Sequence, residues 1–138
     1  MLKVYHLEGG NFSEAGSASS DIKKLLKRLG LQSKIIKKVA VAMYEAEINV
    51  VAHAYSGDIN VVVAKDHIKI LVSDKGPGIP DVDKAMTEGF STASEKVREM
   101  GFGAGMGLPN IKKNVDDLNI KTEVGKGTEL SMRIDFQH

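Results

Sequence analysis

The chain has 138 residues, 42% of them apolar, with nineteen basic residues against eighteen acidic and no cysteine. That length bounds it to one domain, spanning 1–138, that buries roughly two-thirds of its unfolded surface. A formal charge of +1 excludes a strong field for gathering nucleic acid. No apolar run approaches the roughly 20 residues of a membrane span, and disulfide staples are excluded.

The start Met1-Leu2-Lys3-Val4-Tyr5-His6 lacks the long apolar segment of a signal peptide, so with no cysteine the expected location is the cytoplasm. Residues 2–7 read as an edge strand. From Ser13 to Leu29 the apolar positions Ala15, Ala18, Ile22, Leu25, Leu26 and Leu29 keep helical spacing, and Gly30 is the expected stop. Lys23, Lys24, Lys27, Arg28, Lys34, Lys37 and Lys38 concentrate here and read as a solvated face, with docking of an acidic partner as the alternative.

A second helix is expected after Ser33, which can cap it, and runs to about Ala54. Ile36, Val39, Ala40, Met43, Ala46, Val50, Val51 and Ala54 share one broad face that must pack on a sheet. Glu45, Asn49 and His53 fall four residues apart on its flank, in one polar column beside the buried stripe. Glu47 projects near the middle of the apolar face, where the periodicity offers it no role.

Two strands follow, with Ile59, Val61 and Val63 alternating, a turn at Lys65-Asp66, and Ile68, Ile70 and Val72 alternating again. Continuing that period of two puts Asp74 on the inward face, at the lip of the sharp turn Lys75-Gly76-Pro77-Gly78-Ile79-Pro80. Residues 81–100 begin as a short helix and then lose periodicity, and Gly89 to Gly107 reads as a lid.

The lid ends in Gly101-Phe102-Gly103-Ala104-Gly105-Met106-Gly107, four of the chain's fourteen glycines in seven residues. Glycines before a helix can aim several backbone N–H groups at one anion, and phosphate is the leading candidate. A dinucleotide G-x-G-x-x-G fails in both frames, because the sixth position is Met106 or Leu108. Gly125-Lys126-Gly127-Thr128 is not the tail of a Walker loop either, since a glycine separates Lys126 from Thr128 and an apolar strand follows.

The helix after the lid is read from Leu108, Ile111, Val115 and Leu118. A hairpin of Ile120 to Val124 and Thr128 to Phe136 then turns at Gly125-Lys126-Gly127, with Lys126 in solvent. Leu130, Met132, Ile134 and Phe136 face inward, and so does Thr128 by parity. If the strands of Asp74 and Thr128 are antiparallel neighbours, both polar groups meet at one mouth of the sheet. An aspartate only accepts, so it can select a ligand carrying an amino group such as adenine's. Asn49 supplies a neutral oxygen suited to magnesium, and Glu45 remains for proton abstraction.

Glu45-x-x-x-Asn49 with His53-Ala54-Tyr55, then Asp74-Lys75-Gly76-Pro77-Gly78, then Gly103-Ala104-Gly105-Met106-Gly107-Leu108, then Gly127-Thr128 resembles the Bergerat-fold ATP sites of the gyrase, heat-shock chaperone, histidine kinase and mismatch-repair superfamily. The short chain and Glu88-Gly89-Phe90-Ser91-Thr92 before the lid look most like the stand-alone bacterial serine-protein kinases and anti-sigma regulatory factors, especially the switch-kinase branch. The resemblance implies a two-layer α/β sandwich, a mixed and mostly antiparallel sheet covered on one face by about three helices. It places ATP between lid and sheet, with Asp74 on the adenine amine, Thr128 nearby through water, and Asn49 on magnesium. Glu45 would be the base that deprotonates a serine or threonine on a small STAS-like antagonist, and His53 would support the pocket wall. Gly76, Gly78, Ile79, Gly101, Gly103, Ala104, Gly105, Met106, Gly107 and Leu108 complete the expected nucleotide contacts, and Arg98 or Lys96 would reach the γ-phosphate. A sigma factor or phosphatase is a further expected partner, as is a second copy in a homodimer. The runner-up is a nucleotide-gated binding module without phosphotransfer, and a simple ATPase ranks third.

Overall fold

In the computed structural model, residues 1–79, 82, 86 and 107–136 are described. Five strands, β1 (Leu2–Glu8), β2 (Ser56–Val63), β3 (His67–Lys75), β4 (Asp117–Glu123) and β5 (Gly127–Asp135), form one sheet in the order β1-β2-β3-β5-β4. All four pairings are antiparallel, with no parallel pair among the described residues. Among the described residues the helices α1 (Ser17–Arg28), α2 (Ser33–His53) and α3 (Gly107–Asn114) accompany it, with a 3-10 turn at Phe12–Glu14.

Strand parity decides which face carries the core. Ile59, Val61, Ile68, Ile70, Val72, Leu130, Met132 and Ile134 alternate along three central strands and are all 5% exposed or less. They meet Ile22 and Leu26 of α1, Val39, Met43, Ala46 and Val50 of α2, and Leu108 and Ile111 of α3. The two-layer sandwich with helices on one face is therefore what the alternating strands and the broad stripe of α2 demand. As expected, β1 lies at the sheet edge, paired to β2 alone.

Several boundaries differ from the periodicity. Instead of beginning at Ser13, α1 starts at Ser17, because Gly16 stands at φ 94 in the left-handed region that ends any preceding helix. A Cβ there would lie 3.1 Å from the Tyr44 ring. Ser33 is the first residue of α2 rather than its cap; Gln32 holds that position, with no side-chain capping bond. Leu118 belongs to β4, opposite Met132, and not to the helix. The chain is pulled into the ladder where the Asp116 N–H donates to the Arg133 carbonyl at 2.9 Å and the Asp135 N–H donates to Asp116 Oδ2 at 2.7 Å.

Glu47 receives its role from α1. Its carboxylate, 0% exposed, accepts the N–H groups of Gly16 at 2.9 Å, Ala18 at 3.3 Å and Ser19 at 2.6 Å. These are the first amides of α1, which have no intrahelical partner, so a buried anion and a helix N-terminus neutralise each other. The clamp fixes α1 against α2 on the side away from the polar column.

Candidate nucleotide site

The end of β3 places Asp74 one step beyond the Ser73–Glu129 pair, over the start of β5. Its Oδ1 accepts the Thr128 N–H at 3.0 Å. Among the described residues nothing donates to its other oxygen, which stays an open acceptor. Burial raises the Asp74 pKa and the Thr128 N–H opposes that shift. Gly127 makes the approach of the two strands feasible, because a Cβ on it would stand 2.1 Å from the Asp74 carbonyl oxygen.

The turn after β3 is knitted to the β4–β5 hairpin. Gly76 N–H donates to the Lys126 carbonyl at 3.3 Å, and Gly125 N–H donates to the Pro77 carbonyl at 2.9 Å. Gly78 follows at φ 77, packed on the Glu123–Val124 backbone. Ile79 N–H then donates to Thr122 Oγ1 at 2.8 Å, and that hydroxyl lies 2.9 Å from Thr128 Oγ1. Thr122 was absent from the sequence expectation, although its inward parity with Ile120 in β4 was a usable signal. Lys126 extends into solvent beside Glu123, as expected.

Helix α2 joins this mouth of the sheet to a second cluster. Its Val50 touches the position where a Gly57 side chain would stand, directly across the ladder from Asp74, and its cap Ala54 packs on Gly76. One and two turns back from His53, Asn49 and Glu45 face α3. A Cβ on Gly107 would lie 2.8 Å from Asn49 Oδ1, so only glycine lets the start of α3 approach that amide so closely. Asn110 Nδ2 donates to Glu45 Oε1 at 3.3 Å. Asn110 was also missed; its signal was a place three residues from Gly107, on the same side of a helix.

His53 is half-buried, and burial lowers its pKa, which keeps the ring neutral at pH 7. Leu108 is 6% exposed and belongs to the core. Gly101, Gly103, Ala104, Gly105 and Met106 lie outside the described residues, as do Lys96, Arg98 and the expected lid short of Gly107. The described structure therefore brings together Asp74, Gly76, Gly78, Ile79 and Thr128 at one end of α2's contact with the sheet, and Glu45, Asn49 and Gly107 at its contact with α3.

Magnesium bound through one or two protein oxygens and substrate phosphates needs no cage of carboxylates. The residues present fit that mode, with Asn49 offering an amide oxygen at the glycine start of α3. A cleft of about 450 Å³ also opens between α3 and β4, lined by Val82, Met86, Lys112, Val115, Asp116, Asp117, Leu118 and Ile120. Among the described residues, none of the expected site residues lines it.

This arrangement of sheet, helices and polar clusters is that of an ATPase domain of the histidine-kinase type. Residues 13–134 match the histidine kinase-like ATPase domain family, and the chain belongs to it. Among curated relatives, the serine/threonine-protein kinase RsbT of Bacillus subtilis is 32% identical over 112 residues, 78% of each chain. An anti-sigma F factor of Caldanaerobacter subterraneus is 35% identical over 102 residues, covering 70% of this chain and 68% of that one. The serine-protein kinase RsbW of Oceanobacillus iheyensis is 33% identical over 120 residues, 80% and 73% of the two chains. Among solved structures, that of the RsbU and RsbW domains of a Mycobacterium tuberculosis protein superposes with a TM-score of 0.62 at 16% identity, over 96% of this chain and 31% of that one. The mycobacterial sensor histidine kinase MprB superposes with a TM-score of 0.55, also at 16% identity, over 98% and 97%. These two likenesses concern the fold. The family implies ATP binding, and its members similar to this chain carry the names of protein kinases and of anti-sigma factors.

Proposed function

We propose that the chain, as one ATP-binding domain over 1–138, is a cytoplasmic protein serine/threonine kinase of the anti-sigma regulatory type. Its substrate is a serine or threonine on a small STAS-like antagonist domain. The observation that carries this reading is the single helix α2 presenting Glu45 and Asn49 to α3 while its C-terminal end packs on the Asp74 turn. Asp74, an acceptor held by Thr128, selects the exocyclic amine of adenine through its open oxygen. Thr128 and Thr122 present hydroxyls beside it. Asn49 would hold magnesium, which neutralises charge on the transferring phosphate when bound.

Glu45 takes the proton of the substrate hydroxyl. The freed oxygen bonds to the γ-phosphorus of ATP, the bond from that phosphorus to the β-phosphate oxygen breaks, and ADP leaves. Most of the acceleration is positioning, with the base contributing on the order of a hundredfold or more.

The first test is thermal. ATP at a hundred times its dissociation constant adds about 2.7 kcal/mol, a melting shift of several degrees. Wild type should show that shift with magnesium ATP, and Asp74→Asn should lose it while melting at no lower temperature without nucleotide. The isosteric amide keeps an acceptor for Thr128, and a carboxylate whose pKa is raised by folding opposes stability once pH exceeds that pKa. In the second test γ-labelled ATP is incubated with the antagonist protein retained by the immobilised chain. Wild type should transfer label and Glu45→Ala should not; equal labelling would remove Glu45 from its role. Relatives named anti-sigma F factors favour a second reading, a nucleotide-gated binding module. Retention that follows the nucleotide with no label transferred would select it.

A further inference from the structure

Helices α2 and α3 mesh through two polar steps. Gly107 sits against the Asn49 amide, and three residues later Asn110 reaches Glu45, four residues earlier in α2. The rise between the steps is about 4.5 Å on α3 and about 6 Å on α2, so antiparallel helices keep both contacts in register. Rotation of α3 is fixed by Ile111 and Leu108, 0% and 6% exposed in the core, and the Asn114 side-chain amide ties back to the Asn110 carbonyl at 2.8 Å. Asn110 thus offers its amide from a backbone that is held on two sides. Glu45 has no other hydrogen bond among the described residues.

We propose that Asn110 is the positioning residue for Glu45: its side-chain amide holds one carboxylate oxygen, so that the seat of α3 on Asn49 also aims the base. This rests on the kinase reading above. The donated hydrogen bond leaves the second carboxylate oxygen to receive the substrate proton and limits the rotamers of the Glu45 side chain. Gly107 and Asn110 together give α3 one contact with the candidate magnesium ligand and one with the candidate base.

The experiment compares wild type, Asn110→Asp, Asn110→Leu, Asn110→Gln and Glu45→Ala in single-turnover transfer from γ-labelled magnesium ATP to the antagonist protein retained by the wild-type chain. Asn110→Asp and Asn110→Leu preserve side-chain size and lose the donor. Both should slow transfer at saturating ATP by at least about tenfold, the equivalent of one hydrogen bond to a charged group. Their magnesium ATP melting shift and the concentration of ATP giving half-maximal rate should stay at wild-type values. Asn110→Gln, which keeps a donor on a longer arm, should recover most of the rate, which a purely packing role does not predict. Wild-type transfer rates in Asn110→Asp and Asn110→Leu, with Glu45→Ala inactive, would overturn this inference and leave the kinase reading standing. Loss of the ATP melting shift in these variants would also overturn it, by assigning Asn110 to nucleotide binding. Absence of transfer by wild type would overturn the kinase reading itself.

Discussion

Glu47 shows how a residue that contradicts its helix's periodicity is resolved by a partner far along the chain. A carboxylate at 0% exposure is costly unless it is fully hydrogen-bonded, and here the amides of Gly16, Ala18 and Ser19 supply three donors. Replacement by alanine would leave those donors buried without an acceptor. Glu47→Ala should therefore cost about 3–5 kcal/mol in chemical denaturation, while Glu47→Gln, which keeps one oxygen, should cost about 1–2 kcal/mol. Equal and small losses for both would mean that α1 finds other capping partners. The Tyr5 pKa is pushed up by burial and then by its bond to Asp21, with a smaller push from Glu47, so the same corner holds a protonated phenol against a carboxylate.

At the scale of elements, the two glycines that border the site test different contacts. On Gly127 a new Cβ would meet the Asp74 carbonyl at 2.1 Å, a backbone atom that cannot yield without opening the β3–β5 ladder. On Gly107 it would meet the Asn49 side-chain amide at 2.8 Å, which can turn aside. Gly127→Ala should thus lower stability by about 2 kcal/mol or more through strain and a broken ladder. Gly107→Ala, at the start of a helix, should change stability by less than about 1 kcal/mol while weakening the magnesium-dependent part of ATP binding. Melting curves of both variants, with and without magnesium ATP, separate the two. A magnesium effect intact in Gly107→Ala would argue against Asn49 as the ligand.

For the whole molecule, two histidines bend stability in opposite directions with pH. His6 sits on the exposed edge pair with Nδ1 2.8 Å from Asp58 and Nε2 2.6 Å from Glu8, and these carboxylates raise its pKa, Asp58 first. Its contribution is complete below the unfolded pKa near 6.5 and is lost as pH rises through the raised folded value. His53, whose pKa is lowered by burial, favours the fold above about 6.5 and loses that contribution as pH falls. His6→Gln should melt below wild type at about pH 5.5, and the gap should narrow as pH rises. A difference that does not change with pH would mean that protonation of the ring contributes nothing to the edge.

The strand alternation of Ile59 to Val63, Ile68 to Val72 and Leu130 to Ile134, the broad stripe of α2 and the spacing of Glu45, Asn49 and His53 were legible in the sequence, because each depends on the period of its own backbone. The same parity put Asp74 and Thr128 on one face, and the ladder made them neighbours. Element ends and supporting contacts were not legible in this way. Where α1 begins is decided by Gly16 and a carboxylate 31 residues later, and where α3 stops is decided by the pull of β5 on Asp116. Thr122 and Asn110 acquire their places from partners on other elements. The amino-acid order alone determined the layers and the chemical types offered to a ligand, since periodicity and residue chemistry are local. Only the tertiary structure decided which groups touch, because contact distances arise from packing helices and strands that are remote in the chain.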